Sequence, residues 1–110
     1  MAKGGWVMSE FIVVLCTAAS NESDKIAGAL VKERLAACVN MAPIRSCYIW
    51  DGKLNMDHEV ILIIKTEERM IEPLKKRITE LHSYSVPEII VLPIIEGHKP
   101  YLDWISQSVG

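Results

Sequence analysis

Between Leu81 and Ile90 the chain reads Leu-His-Ser-Tyr-Ser-Val-Pro-Glu-Ile-Ile. His82, Tyr84 and Glu88 put an imidazole, a phenol and a carboxylate within seven positions, with Pro87 among them. An imidazole and a carboxylate serve either as general acid and base or as metal ligands. Cysteine is the second source of chemistry. Cys16, Cys38 and Cys47 are odd in number and lack C-x-x-C spacing. They predict neither a disulfide framework nor structural zinc. The sequence carries no Gly-rich phosphate loop, no G-x-S-x-G elbow and no H-E-x-x-H. Cys16 and His82 would make a nucleophile–base pair only with an orienting group and an oxyanion site, and neither is evident. The expectation is a protein that is not an enzyme.

The polar segment sits where a helical pattern gives way to a strand pattern. Phe11 to Thr17 reads as a buried strand. Ile26, Leu30, Val31 and Leu35 then recur at helical spacing, with Lys25, Lys32, Glu33 and Arg34 pointing away. This predicts a helix over about residues 22–35, with Asn21 as its N-cap. Residues 36–50 are extended, and Pro43 should mark a bulge or an edge position. Asp51-Gly52 predicts a hairpin into a long strand over about residues 53–65, whose buried half is Glu59 to Ile64. Met70, Ile71, Leu74, Ile78 and Leu81 predict a second helix starting between Glu68 and Glu72, which leaves Pro73 in its first turn. Val86 to Ile95 reads as a fourth strand, and Pro87 and Pro93 place it at a sheet edge. Tyr101, Leu102, Trp104 and Ile105 follow Gly97 as a short C-terminal helix. The order strand, helix, strand, strand, helix, strand predicts the split βαβ, ferredoxin-like α+β fold. Its antiparallel sheet would have both helices on one face and the strand order 4-1-3-2.

Length and charge narrow the partners. A chain of 110 residues fits one domain. The reading is a flexible segment over residues 1–9, with Met1 to Gly5 disordered, and a single domain over 10–110. Such a domain buries only about two-thirds of its unfolded surface, so sharing a core with other copies would strengthen it. With one Phe, three Trp and three Tyr, that core must be mainly aliphatic. The net charge of −2 and the absence of a basic stripe argue against nucleic acid as a partner. Lys3 ahead of Phe11–Cys16 superficially resembles a signal peptide. Ser9 and Glu10 interrupt it, and the run is short and β-branched as a strand would be. No segment is long enough to span a membrane. A cytoplasmic protein with reduced cysteines is expected.

Several stretches together resemble the CutA family, the divalent-cation tolerance proteins. They are Val14-Leu15-Cys16-Thr17-Ala18, Glu33-Arg34-Leu35-Ala36-Ala37-Cys38-Val39-Asn40, Trp50-Asp51-Gly52-Lys53-Leu54, Ile64-Lys65-Thr66, Leu81 to Glu88, and Tyr101-Leu102-Asp103-Trp104-Ile105. The resemblance runs from Phe11 to Val109. It departs after the Val-Asn segment, where the family often has Pro-Gly and this chain passes from Pro43 to Ile44. It departs again before the acidic-Gly turn, where Ile49 replaces one of two aromatics.

The resemblance implies a tight homotrimer, in which pairing between subunits removes the exposed edges of the long hairpin. It also implies binding of divalent metal ions, with copper as the expected cofactor ion, no organic cofactor, and a part in metal tolerance. The ligand types match at Cys16, His82 and Glu88. In the order 4-1-3-2 the end of strand 1 faces the start of strand 4, which would bring Cys16 near Glu88, with His82 in the feeding loop. Thiolate suits Cu(I), whereas imidazole and carboxylate suit Cu(II) or Zn(II). Simpler roles exist for each: a small buried hydrophobe for Cys16, a helix cap for His82, a salt bridge to Lys65 or Arg69 for Glu88. The resemblance also places Lys65, Tyr84 and Trp50 near clefts between subunits, where they would bind a small anionic ligand or simply pack the interface. Two other roles compete with metal binding: a PII-like trimer that senses a small ligand, and a trimeric scaffold that anchors a partner protein.

Overall fold

A computed structural model describes residues 9–110. The expected flexible segment lies outside the described residues except for Ser9. The Ser9 hydroxyl sits 2.5 Å from the Ile94 carbonyl.

The element order is β1 (Phe11–Ala18), α1 (Ser23–Lys32), β2 (Cys38–Trp50), β3 (Lys53–Glu67), a 3-10 turn (Glu68–Met70), α2 (Ile71–Leu81), β4 (Ile90–Pro93) and α3 (Lys99–Ser108). The sheet is antiparallel throughout, in the order β2-β3-β1-β4. This is the α+β arrangement and the strand order that the sequence predicts.

Successive side chains on a strand point to opposite faces. Ile12, Val14 and Cys16 on β1, with Leu62 and Ile64 on β3, form one buried face. Ile26, Ala27 and Leu30 of α1 and Leu74 and Ile78 of α2 pack on it. Both main helices therefore cover the same side. The other side carries Val13, Leu15, Ile61 and Ile63, all half-buried, with the exposed Ile90 and Leu92 of β4 registered opposite Leu15 and Val13. Helix α3 and the residue after it close one end of the domain through Ile105 and Val109, which pack with Ala37 and Met70.

Helix α1 is shorter than predicted. Arg34 turns left-handed at φ 60°, and the Leu35 N–H bonds back to the Leu30 carbonyl. An Arg in that region costs roughly 1–2 kcal/mol. The guanidinium offsets this by donating to the carbonyls of Gly110 and Gln107 at 2.8 and 2.9 Å. The N-cap is Glu22 and not Asn21, and no side chain caps the first turn. The Glu22 carboxylate instead accepts from the Ser83 N–H and hydroxyl, tying α1 to the segment after α2.

The hairpin forms as the sequence predicts. Asp51 and Gly52 both take positive φ, the type I′ signature. Pro43 sits on the edge strand β2, in register with Val60. The fourth strand is the larger correction. It covers only Ile90–Pro93, not residues 86–95. Residues 84–88 do not pair with β1; Tyr84, Ser85, Val86 and Glu88 line a cleft instead. The C-terminal helix is longer than expected, at 10 residues.

Candidate functional site

His82 anchors the region. It is the C-cap of α2, with a backbone N–H donating to the Ile78 carbonyl, and it is buried. Its Nε2 lies 2.7 Å from the Thr17 carbonyl oxygen. A carbonyl only accepts, so Nε2 must carry the proton. In the neutral ring the lone pair then belongs to Nδ1. That lone pair accepts the Tyr84 N–H at 3.1 Å and lies 3.5 Å from Glu22 Oε1. The two hydrogen bonds fix the imidazole between the end of β1 and the start of the 83–89 loop.

Cys16 lies one residue before Thr17 and is fully buried on the helix-covered face, with its Sγ 3.6 Å from the Thr17 carbonyl. Burial, followed by the carboxylates of Glu88, Glu59 and Glu22, pushes its thiol up to about 12. A metal would have to displace that proton to gain the thiolate. Glu88 is exposed and precedes β4, whose first residue pairs with Leu15. Glu88 is not paired with β1, but it lies close enough for its carboxylate to act on the Cys16 thiol. Its salt bridge to Lys65 or Arg69 is not formed either. Arg69 pairs with Glu67 at 2.6 Å, and the Lys65 ammonium donates to the Asn40 side-chain carbonyl. Among the described residues no three His, Cys, Asp or Glu side chains converge closely enough to hold a metal ion.

The same loop forms one wall of a cleft of about 550 Å³. Its floor is the sheet face away from the helices. Thr17 on β1, Glu59 on β3 and Ser46, Tyr48 and Trp50 on β2 line it, with Tyr84 and Glu88 from the loop. Glu59 is 8% exposed. Its Oε2 accepts the Tyr84 hydroxyl at 2.7 Å. Partial burial and this acceptor push the Tyr84 phenol above its ordinary pKa. Tyr84 also stacks, tilted, on His82 with ring centroids 4.5 Å apart. Tyr48 donates to Asp57 on the same face.

Within one chain, then, the structure brings Trp50 and Tyr84 together and leaves Lys65 elsewhere, beside Asn40. Glu22, Glu59 and Tyr48 are the residues that sequence reasoning missed. The signal for Glu59 was present: a carboxylate opens a strand segment read as buried, and a buried acid needs a reason.

Residues 12–108 match the family model for CutA1 divalent ion tolerance protein. A Divalent-cation tolerance protein CutA from Thermus thermophilus is 49% identical over 100 residues, covering 89% of this chain and 97% of its own. Among solved structures, CutA1 from Oryza sativa superposes with a TM-score of 0.89 at 41% identity, covering 93% of this chain and 95% of its own. A PII-like protein CutA from Nostoc sp. PCC 7120, in apo form, gives 0.87 at 34% identity over 90% and 97% of the two chains. The family match spans almost the whole folded domain, and the chain belongs to the CutA1 divalent ion tolerance family.

Proposed function

We propose that this chain is a homotrimeric binder of divalent metal ions, copper first among them, that contributes to metal tolerance in the cytoplasm. The observation that carries the metal reading is the state of His82. Metal-ligating histidines commonly donate the other ring N–H to a carbonyl, which orients the ring and raises its basicity. His82 has that arrangement, with Nε2–H on Thr17 and the Nδ1 lone pair turned toward Glu22 and the 83–89 loop. Nδ1 would be the ligating atom, releasing the Tyr84 N–H. Cys16 and Glu88 are the proposed co-ligands, and Glu22 is a nearer carboxylate than the sequence suggested. Three donors do not converge among the described residues, so the proposal requires the 83–89 loop to close or a neighbouring subunit to contribute.

Trimer formation is supported by the half-buried apolar sheet face of Val13, Leu15, Ile61 and Ile63, and by the edges β2 and β4, which pair with no further strand among the described residues. Large exposed apolar surface of this kind marks interaction sites. A binding role is favoured over a catalytic one because the Cys16 thiol is held protonated well above neutrality, the wrong direction for a nucleophile.

Calorimetric titration of the reduced protein with Cu(I), Cu(II) and Zn(II) tests the site. Cys16→Ser, His82→Ala and Glu88→Gln should each weaken at least one ion, and His82→Ala the most. Equal binding by all four proteins would reject these ligands. Sedimentation tests the assembly: a stable monomer at micromolar concentration rules out the trimer.

A further inference from the structure

Among the described residues, Glu22 is the one carboxylate within 4 Å of a His82 ring nitrogen, with Oε1 3.5 Å from Nδ1. The imidazole proton is on Nε2, against the Thr17 carbonyl, so Nδ1 presents a lone pair. An ionised carboxylate oxygen likewise only accepts. Two acceptors set this close repel each other until a cation joins them. Bonds of about 2.0–2.2 Å to one tetrahedral ion hold a ring nitrogen and a carboxylate oxygen about 3.4 Å apart. The pair already has that spacing. The Tyr84 N–H now on Nδ1 belongs to an exposed residue and can turn to water when an ion takes its place.

Burial and access fit the same use. The His82 side chain is fully buried, and that of Glu22 is 19% exposed. Glu22 Oε1 accepts from the Ser83 N–H and hydroxyl, while Oε2 has no hydrogen-bond partner among the described residues and is open to water. Glu22 immediately precedes α1, which packs on the helix-covered face of the sheet. The pair therefore does not depend on the sheet face and edges assigned to the trimer.

Charge points the same way. Glu88, Glu59 and Glu22 all act on the Cys16 thiol, and among the described residues no Lys or Arg nitrogen comes within 4 Å of any of the three. A divalent cation offsets that excess. An imidazole and a carboxylate without a thiolate suit Zn(II) or Cu(II) and not Cu(I).

We propose that Glu22 is a ligand of the metal site: its carboxylate and His82 Nδ1 hold one divalent ion, and Glu22 gives the site its preference for Zn(II) and Cu(II) over Cu(I). This rests on the metal role proposed for His82. It adds a ligand that needs neither loop closure nor a second subunit, and it leaves the Cys16 thiol to Cu(I).

The test is calorimetric titration of the reduced full chain with Zn(II) and Cu(II), and transfer of Cu(I) from a chromophoric chelator. Glu22→Gln removes the charge and keeps a side-chain carbonyl for Ser83. It should bind Zn(II) and Cu(II) at least roughly 10-fold more weakly, and Cu(I) as the wild type does. Its metal-free urea midpoint should match the wild type. Ser83→Ala loosens the tie between α1 and the loop but keeps the carboxylate, and it should bind all three ions as the wild type does. Binding that His82→Ala loses and Glu22→Gln retains would overturn the proposal and leave the metal role of His82 standing. A loss in Ser83→Ala as large as in Glu22→Gln would also overturn it, because Glu22 would then act only by tying the loop. So would an equal loss of all three ions in Glu22→Gln. A wild type that binds none of them removes the role of His82 and the proposal together.

Discussion

Glu59 and Glu67 lie on the same strand, on the same face, and both are buried, at 8% and 4% exposure. Their surroundings differ. Glu67 receives the Arg69 guanidinium at 2.6 Å and the Ser106 hydroxyl from α3. Glu59 receives one phenol. At the α3 end the fold encloses a carboxylate and supplies its counter-charge. At the cleft end a largely buried carboxylate has no ion pair among the described residues and keeps its second oxygen open to water. The first arrangement is complete within the chain and reads as structural. The second has no counter-charge among the described residues and stays in touch with water through the cleft.

Opposite responses to the same substitution would sharpen this contrast. Glu67→Gln removes the charge that Arg69 and Ser106 are set to receive, and it should destabilise the fold by about 2 kcal/mol, at the low end for a buried pair because Arg69 is half exposed. Glu59→Gln removes a charge that has no ion pair among the described residues and keeps an acceptor for Tyr84. It should leave stability unchanged or raise it. Urea titration of both variants measures the two midpoints, and a loss of equal size at Glu59 would erase the distinction.

Acidification probes the same pair without mutation. Burial alone would push the Glu67 carboxyl up, but the hydrogen bonds from Ser106 and Arg69 and the Arg69 charge outweigh it, and its pKa falls below the ordinary 4.5. A group with a lowered folded-state pKa contributes stability that is present above the unfolded value and is lost as pH falls through the folded value. The wild type should therefore lose stability below about pH 4.5, and Glu67→Gln should lose less over the same interval. An identical acid slope in the two proteins would mean that the Ser106 and Arg69 contacts do not hold the charge.

Helical and strand periodicity made the architecture legible. The apolar spacing of Ile26 and Leu30, the alternation along β1 and the Asp51-Gly52 turn each report a local preference that the tertiary structure keeps. Misreadings fall where distant residues override local pattern. Leu35 continues the α1 stripe, but the helix stops earlier because the C-terminal carbonyls hold Arg34 in a left-handed turn. Val86 to Ile89 look like strand, but Pro87 and the contact of Ser83 with Glu22 route them across the sheet. The candidate site was half legible. His82, Cys16, Trp50 and Tyr84 stood out by residue type and by resemblance. Glu22 and Glu59 matter through what they face, and one sequence does not reveal facing. Glu59 was visible as an acid in an apolar run, while Glu22 looked like any helix-start acid.

The smallest expected effect separates the two tyrosines that hold carboxylates on this face. Tyr84→Phe removes the one hydrogen bond Glu59 has among the described residues, and should cost about 1 kcal/mol, because a hydrogen bond to a buried charged acceptor is worth more than one at the surface. Tyr48→Phe removes a bond to Asp57 that water can replace, because Asp57 is only half-buried whereas Glu59 is buried. Its urea midpoint should not move. If Tyr48→Phe proves as costly as Tyr84→Phe, the cleft is closed to water at both ends.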